Sequence, residues 1–375
     1  MLGELLTGIL AGTLSGIAPG VHVNTLAAFL SALDVSGNLV LFSMGLVHTF
    51  LDAVPSVFLG VPDEGTALGI LPAHRLVLKG RGMEVIRIAL WASFLAVVFS
   101  LLLFPVYLPI AHLYTPEMGR VLVVLIALLL ILTENGIKKL YAVFVFLTSG
   151  VLGVLAFRLP LEHPYYHLFT GLFGIPVLVA ALSSNGSFRR GDDSSIMMGH
   201  TKFLGLSFIG ALLGLVASLV PAFTASQAAL LGSFISRDER SFLAIVFSVN
   251  TSNFLFSFVN FVGTGRIRNG IVALMSPLGV GSLRFYASVS LFVAMAVLLY
   301  GEPLASMILR LISRLPYRGV NLSILMFLLV LSFLFDNFSG ILVLVGAALV
   351  GSLALSLGIK RTVCMGVLML PIILG

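Results

Sequence analysis

Apolar runs separated by short polar breaks fill the whole chain, and their lengths settle the fold class. A membrane-crossing helix needs roughly 20 mostly apolar residues. Runs at 38–60, 84–113, 119–134, 140–158, 240–262, 283–300, 319–335 and 339–358 reach or approach that length. Shorter or broken runs lie at 5–18, 23–33, 66–78, 166–182, 203–219, 222–236 and 362–374. They predict half-helices, re-entrant hairpins or short spans, because irregular backbone survives in a bilayer only where protein or a cavity satisfies it. The pattern predicts an all-α polytopic membrane protein with discontinuous or re-entrant helices. The most polar interior stretch, Ser183 to Lys202, reads as an exposed linker. It divides a first transmembrane unit, 1–182, from a second, 203–375.

Composition agrees with the pattern. Of the 375 residues, 59% are hydrophobic and 10% charged, with mean hydropathy +1.14. A soluble domain is about a quarter charged, so lipid must cover most of this surface. The net charge of +6 is modest, and basic residues sit in short loops, as in Lys79 with Arg81, Lys138 with Lys139, and Arg189 with Arg190. They read as topology signals and headgroup contacts, not as a nucleic-acid surface. The single cysteine, Cys364, excludes an intramolecular disulfide and a cysteine metal site. Glu4 precedes the first apolar run and no basic segment does, so the first helix is expected to be retained in a multi-pass protein of the cell membrane. The chain has no Walker, His-Glu-x-x-His or Gly-x-Ser-x-Gly motif, and no catalytic role is assigned.

The two units resemble each other. Gly8, Gly12 and Pro19 fall on Gly210, Gly214 and Pro221 at one offset, 210 − 8 = 202, and Gly16 falls on Ser218. Without a gap, the same offset lays Val47-His48-Thr49 on Val249-Asn250-Thr251 and Glu134-Asn135 on Asp336-Asn337. Gly171-Leu-Phe-Gly-Ile-Pro176 resembles Gly366-Val-Leu-Met-Leu-Pro371 at an offset of 366 − 171 = 195. Internal repeats around a central site are a common transporter plan. Lys138-Lys139 has no basic partner after Asp336, which suits an inverted second copy, whereas the basic loops at Lys79-Arg81 and Arg266-Arg268 suit a parallel one. Two pseudo-symmetric repeats, the second inverted, are the expectation.

Three segments could carry chemistry. Glycines 8, 12 and 16 share one helical face and permit close contact. Pro19-Gly20 then breaks the helix, and a half-helix can restart near Val23. Its free N–H groups and dipole favour an anion, with His22, Asn24 and Thr25 beside it. The second copy offers Pro221, Thr224, Ser226 and Gln227. The alternative is a packing kink with a satisfied histidine. Next come His48, Thr49 and Asp52 in one unit and Asn250, Thr251 and Asn253 in the other, each mid-way along an apolar run. His48 and Asp52 share a helical face. Ionisable residues at such depth mark pathways, although a plain helix-to-helix hydrogen bond would also place them there. Asp63 and Glu64 follow Pro62 between apolar segments, where sodium or a proton could couple, or where the chain could simply turn in solvent. Glu134 and Asp336 read as helix-end residues.

These residues resemble a family. Gly12 to Thr25, with its Gly-x-x-x-Gly-x-x-Pro-Gly core, is similar to the opening of the large membrane subunit of tripartite tricarboxylate transporters. Phe58-Leu-Gly-Val-Pro-Asp-Glu64, followed by Leu78-Lys-Gly-Arg-Gly82, resembles that family's Gly-x-Pro-Gly-Glu segment and downstream Lys-Gly motif, and Gly171 to Pro176 is also similar. The chain departs from the pattern at Pro62-Asp63 and Pro221-Ala222, where the family has Pro-Gly, and it looks shorter than the usual subunit. The resemblance implies a secondary transporter for small carboxylates, driven by a cation gradient, working with a small membrane subunit and a soluble binding protein. A shorter resemblance is to polyprenyl-phosphate translocases.

The expectation is therefore an organic-anion carrier coupled to sodium or protons, without other cofactors. A lipid-phosphate flippase is the alternative. An intramembrane enzyme built on His48 and Asp52 is a third reading.

Overall fold

The computed structural model describes residues 1–19, 23–32, 37–61, 63, 65–182, 195–220, 224–236 and 238–374. All regular structure among the described residues is helical. The first half runs α1 (Leu2–Ile17), α2 (Val23–Ala32), α3 (Asn38–Leu51), α4 (Ala53–Leu59), α5 (Ile70–Leu78), α6 (Gly82–Leu113), α7 (Pro116–Leu132), α8 (Lys138–Arg158), α9 (Pro164–Phe169) and, after a π-helical turn, α10 (Ile175–Leu182). The second runs α11 (His200–Leu219), α12 (Ala225–Ile235), α13 (Glu239–Thr264), α14 (Gly270–Ala273), α15 (Leu283–Ile312), α16 (Tyr317–Ser356) and α17 (Gly366–Leu374). Among the described residues, 7 helical segments are long and apolar enough to cross a membrane. The chain is a multi-pass membrane protein. His200–Leu219 is one of the 7, although the sequence reading took 203–219 as short or broken. The helix begins earlier, inside the polar stretch, just after Met197, whose N–H donates to Glu84 Oε1 at 2.8 Å.

α16 is two arms of a hairpin. Asp336 and Asn337 leave helical geometry, and Asn337 takes φ 52°. A Cβ placed on Gly340 would stand 2.7 Å from the Ser332 carbonyl oxygen. Eight residues along a straight helix span ~12 Å, so the chain must fold back there. The runs 319–335 and 339–358 are thus separate arms, as their polar break implied.

Helices pack through glycine. Gly8, Gly12 and Gly16 of α1 meet Ser43, Val47 and Leu51 of α3 in the same order, so α1 and α3 run parallel. Gly210 and Gly214 of α11 meet Ser248 and Ser252 of α13, also in parallel. A Cβ on Gly12 would lie 2.5 Å from the Met44 carbonyl oxygen, so this approach is open only to glycine. Between the two helix pairs the contacts are spaced differently. Gly8 and Gly210 keep the offset 202, but Ser43 and Ser248 are related by 248 − 43 = 205. An offset of 205 lays His48 on Asn253, where the ungapped offset of 202 lays it on Asn250. Three extra residues lie between half-helix and long helix in the second half.

At the centre α3 and α13 cross antiparallel. Phe42 packs on Phe258 with ring centroids 4.5 Å apart, Gly45 lies against Phe254, and Asp52 takes the Asn250 amide. α15 runs along α3, with Phe42 against Tyr286 and Leu51 against Gly301. α6 runs along α13, where Arg240 Nε donates to the buried Glu84 Oε1 at 2.7 Å and Ser248 Oγ donates to the Ala92 carbonyl at 3.1 Å.

The outer helices exchange contacts between halves. Gly171 meets Leu344 and Ala347 in the second arm of α16, while Gly366 meets Phe146 and Ser149 of α8. Asp336, in the hairpin turn, accepts the backbone N–H groups of Glu162 at 2.6 Å and His163 at 3.0 Å. Glu134, in the turn after α7, accepts the N–H of Lys360 at 2.8 Å. Both carboxylates therefore end helices as expected, but each does so for a terminal segment of the opposite half.

Candidate functional site

Where the halves meet lies a cavity of about 250 Å³. The starts of two half-helices form part of its wall: Val23 and Asn24 of α2, and Thr224 with Ala225 of α12. A helix start presents unpaired N–H groups and roughly half a positive charge. The start of α12 is fixed by a capping box. Gln227 N–H donates to Thr224 Oγ1 at 3.2 Å, and Thr224 N–H donates to Gln227 Oε1 at 2.8 Å. Gln227 is thus engaged in the cap, and both it and Ser226 are fully buried, outside the lining. The Asn24 side chain packs on Gly270, where a Cβ would lie 2.6 Å from its Cγ. Pro19 is not among the walls. Gly20, His22, Pro221 and the side chain of Thr25 lie outside the described residues.

The polar layer faces the same space. His48, Thr49, Asn250 and Asn253 line the cavity, while Thr251 is buried elsewhere. Asp52 sits behind this wall, its Oδ2 accepting from Asn250 Nδ2 at 2.7 Å. His48 Nδ1 lies 3.1 Å from Ser15 Oγ on α1, and its Nε2 lies 3.4 Å from Asp63 Oδ2. Asp63 reaches the cavity from the loop after α4, and its Oδ1 accepts the Gly65 N–H at 3.3 Å. His48, Asp52 and Asp63 bring polar atoms within 4.8 Å of one another. Sequence reading placed Asp63 apart from the other two. Glu64 lies outside the described residues.

Arg268 is the residue that sequence reading missed. In sequence it reads as a loop charge, yet among the described walls it is the lysine or arginine that lines the cavity. Its Nη2 donates to the Leu219 carbonyl at 2.6 Å, holding the guanidinium beside the break that ends α11, and its buried Nε has no protein partner. A signal for it exists. Gly60 ends α4 at φ 65° and Gly265 ends α13 at φ 72°, a left-handed conformation that favours glycine. The spacing Gly60-x-x-x-x-Gly65 recurs as Gly265-x-x-x-x-Gly270 at 265 − 60 = 205, the offset of the helix contacts. Asp63 and Arg268 hold equivalent places in those loops, 268 − 63 = 205.

Chemically, the cavity wall offers one guanidinium, two helix starts and several neutral donors, and also an imidazole and the Asp63 carboxylate, with the Asp52 carboxylate just behind. The first set suits a carboxylate and the second a small cation. The sequence profile of the tripartite tricarboxylate transporter TctA family matches residues 2–366. An uncharacterized protein of Methanocaldococcus jannaschii is similar, 31% identical over 401 aligned positions that cover 99% of this chain and 97% of that protein. No solved structure matches the chain.

Proposed function

This chain belongs to the tripartite tricarboxylate transporter TctA family, and from that premise we propose that it carries a small organic carboxylate through the cavity, driven by a cation gradient. The observation that carries the reading is Arg268 at a cavity shared by two half-helix starts. A mid-membrane carboxylate needs a fixed counter-charge and preorganised donors, because water cannot supply them there. Asn24, Thr224 and Asn253 supply the neutral donors, while Asn250 holds Asp52 behind them. Asp63, with Glu64 beside it in sequence, serves the coupling cation. A small membrane subunit and a soluble binding protein are the partners that the family implies.

The two halves act as inverted repeats, 1–182 and 203–375 around the 183–202 linker. In support, α1 and α3 run parallel, α11 and α13 run parallel, and the two pairs cross antiparallel. The reciprocal capping by Glu134 and Asp336 supports the same symmetry. Alternating access then follows from one half rocking against the other around the shared site.

The test is direct binding of citrate to the purified chain, with Arg268→Gln as the variant. Removing one partner of a desolvated charged pair costs about 2–4 kcal/mol, or ~30- to ~1,000-fold in affinity. Parental affinity in Arg268→Gln rejects the assignment. Binding of a polyprenyl phosphate in place of carboxylates would favour the flippase reading.

A further inference from the structure

We infer that His48, Asp52 and Asp63 together hold one exchangeable proton, and that this proton is the coupling cation of the carrier proposed above, on which the coupling step rests. The three residues come from different segments: mid-α3, the junction of α3 with α4, and the loop after α4. Ser15 Oγ, the two ring nitrogens of His48, Asp63 Oδ2, Asp63 Oδ1 and the Gly65 N–H form one hydrogen-bonded chain. Histidine and carboxylates linked in this way inside a membrane are proton relays by chemistry, since each group can pass the proton to the next.

A second observation is independent of that chain. Asp52 is 2% exposed, and Asn250 satisfies its Oδ2, but its Oδ1 is buried with no hydrogen-bond partner. A bare carboxylate oxygen in low dielectric lacks a donor, and a proton shared within the cluster supplies one. Like charges on Asp52 and Asp63 also oppose each other, so one proton relieves both defects.

The cluster is wired to the anion site. Asn250 grips Asp52 and walls the cavity, and His48 and Asp63 wall it directly. Around the cluster, α1 contributes Ser15, α13 contributes Asn250 and Asn253, and the loop before α14 contributes Arg268, a cation lining the same cavity. Glu64 lies outside the described residues. An entering anion is repelled by two charged carboxylates and less so by one. Proton and anion therefore favour each other, and the linkage is reciprocal.

Infrared difference titration of the full-length chain in detergent tests the proton unit without any substrate. The expected result is a carboxyl C=O band that grows as pH falls, is equal in sodium and potassium buffers, and is lost in Asp52→Asn or Asp63→Asn. His48→Gln, which should shift its midpoint, is the further variant if either carboxylate change prevents folding. Persistence of the band in every variant, or its removal by sodium at constant pH, overturns the inference, the latter in favour of a sodium site. In liposomes held at zero potential, one proton per cycle predicts about tenfold citrate accumulation for each pH unit of gradient. Asp52→Asn should lose this pH-driven accumulation. Parental accumulation in that variant overturns the coupling role. A parent that exchanges no citrate but shows the titrating band supports the proton unit while overturning the carrier reading.

Discussion

Replacing Asp336 with alanine should destabilise the protein more than the same change at Glu134. Asp336 is 7% exposed and accepts three hydrogen bonds: from Glu162 N–H at 2.6 Å, His163 N–H at 3.0 Å and His167 Nε2 at 2.7 Å. His167 is itself oriented by Ser332, whose Oγ lies 2.9 Å from Nδ1, so the hairpin turn and the start of α9 are tied through one carboxylate. Each donor left unpaired in a buried place costs about 1–3 kcal/mol. Allowing for partial relaxation, three of them sum to about 3–6 kcal/mol, a large part of the ~5–15 kcal/mol that holds a folded domain. Glu134→Ala at the corresponding turn frees a single N–H, that of Lys360, and should cost about 1–2 kcal/mol. Asp336→Asn keeps one acceptor oxygen and should fall between. Unfolding by SDS in mixed micelles measures all three. If Asp336→Ala costs no more than Glu134→Ala, the carboxylate is not the staple of the hairpin and the count of lost donors is the wrong basis.

Gly270→Ala should push Asn24 out of the cavity wall, since the new Cβ would stand 2.6 Å from Asn24 Cγ. Citrate affinity is expected to fall about tenfold, the worth of one neutral hydrogen bond, with an unchanged SDS midpoint. Asn24→Leu should weaken citrate binding in a folded protein, whereas Ser226→Leu, at a fully buried position, should fail in a thermal-stability assay through overpacking. Thr224→Val removes the side-chain acceptor of the α12 capping box and should cost about 1 kcal/mol in SDS unfolding.

The long helices were legible because bilayer thickness demands long apolar runs, and few sequences meet that demand by accident. The break at Asp336-Asn337 was legible for the same reason, since a polar pair interrupts two such runs. Register was less legible. Leucines and glycines match at many offsets, and the contact offset of 205 emerged only when Gly8 met Ser43 and Gly210 met Ser248. Arg268 escaped notice because a basic residue in a short loop usually marks the cytoplasmic edge of a span. Its place at the cavity depends on the αL turn at Gly265 and on the Leu219 carbonyl, a contact 49 residues away in sequence. His48 and Asp52 were paired by helical spacing, but nothing in a one-dimensional pattern could bring Asp63 back beside them. That closure comes from the chain after Gly60, which brings Asp63 back beside α3.

The unlike charges of Asp63 and Arg268, spaced 205 residues apart at one cavity, bear most directly on the proposed coupling. A symmetric carrier for an anion alone would be served by two bases, and a cation site alone by two acids. Here one half contributes Asp63 and the other Arg268 to a single cavity. Polar atoms of Asp52 and Asp63 approach within 4.8 Å. At an effective dielectric constant near 20, two unit charges at that distance repel by about 3–4 kcal/mol. That energy corresponds to several hundredfold in occupancy. A cation bound in the cluster removes the repulsion, and its presence also spares an entering carboxylate the field of a doubly negative wall while Arg268 remains to attract it. That repulsion favours a bound cation whether or not an anion is present; in the proposed carrier, coupling comes from the further repulsion between an entering carboxylate and an unneutralised cluster. The same arithmetic says where coupling fails. Neutralising Asp52 permanently leaves the anion wall intact and removes the penalty for travelling without a cation, so the carrier should no longer concentrate its substrate.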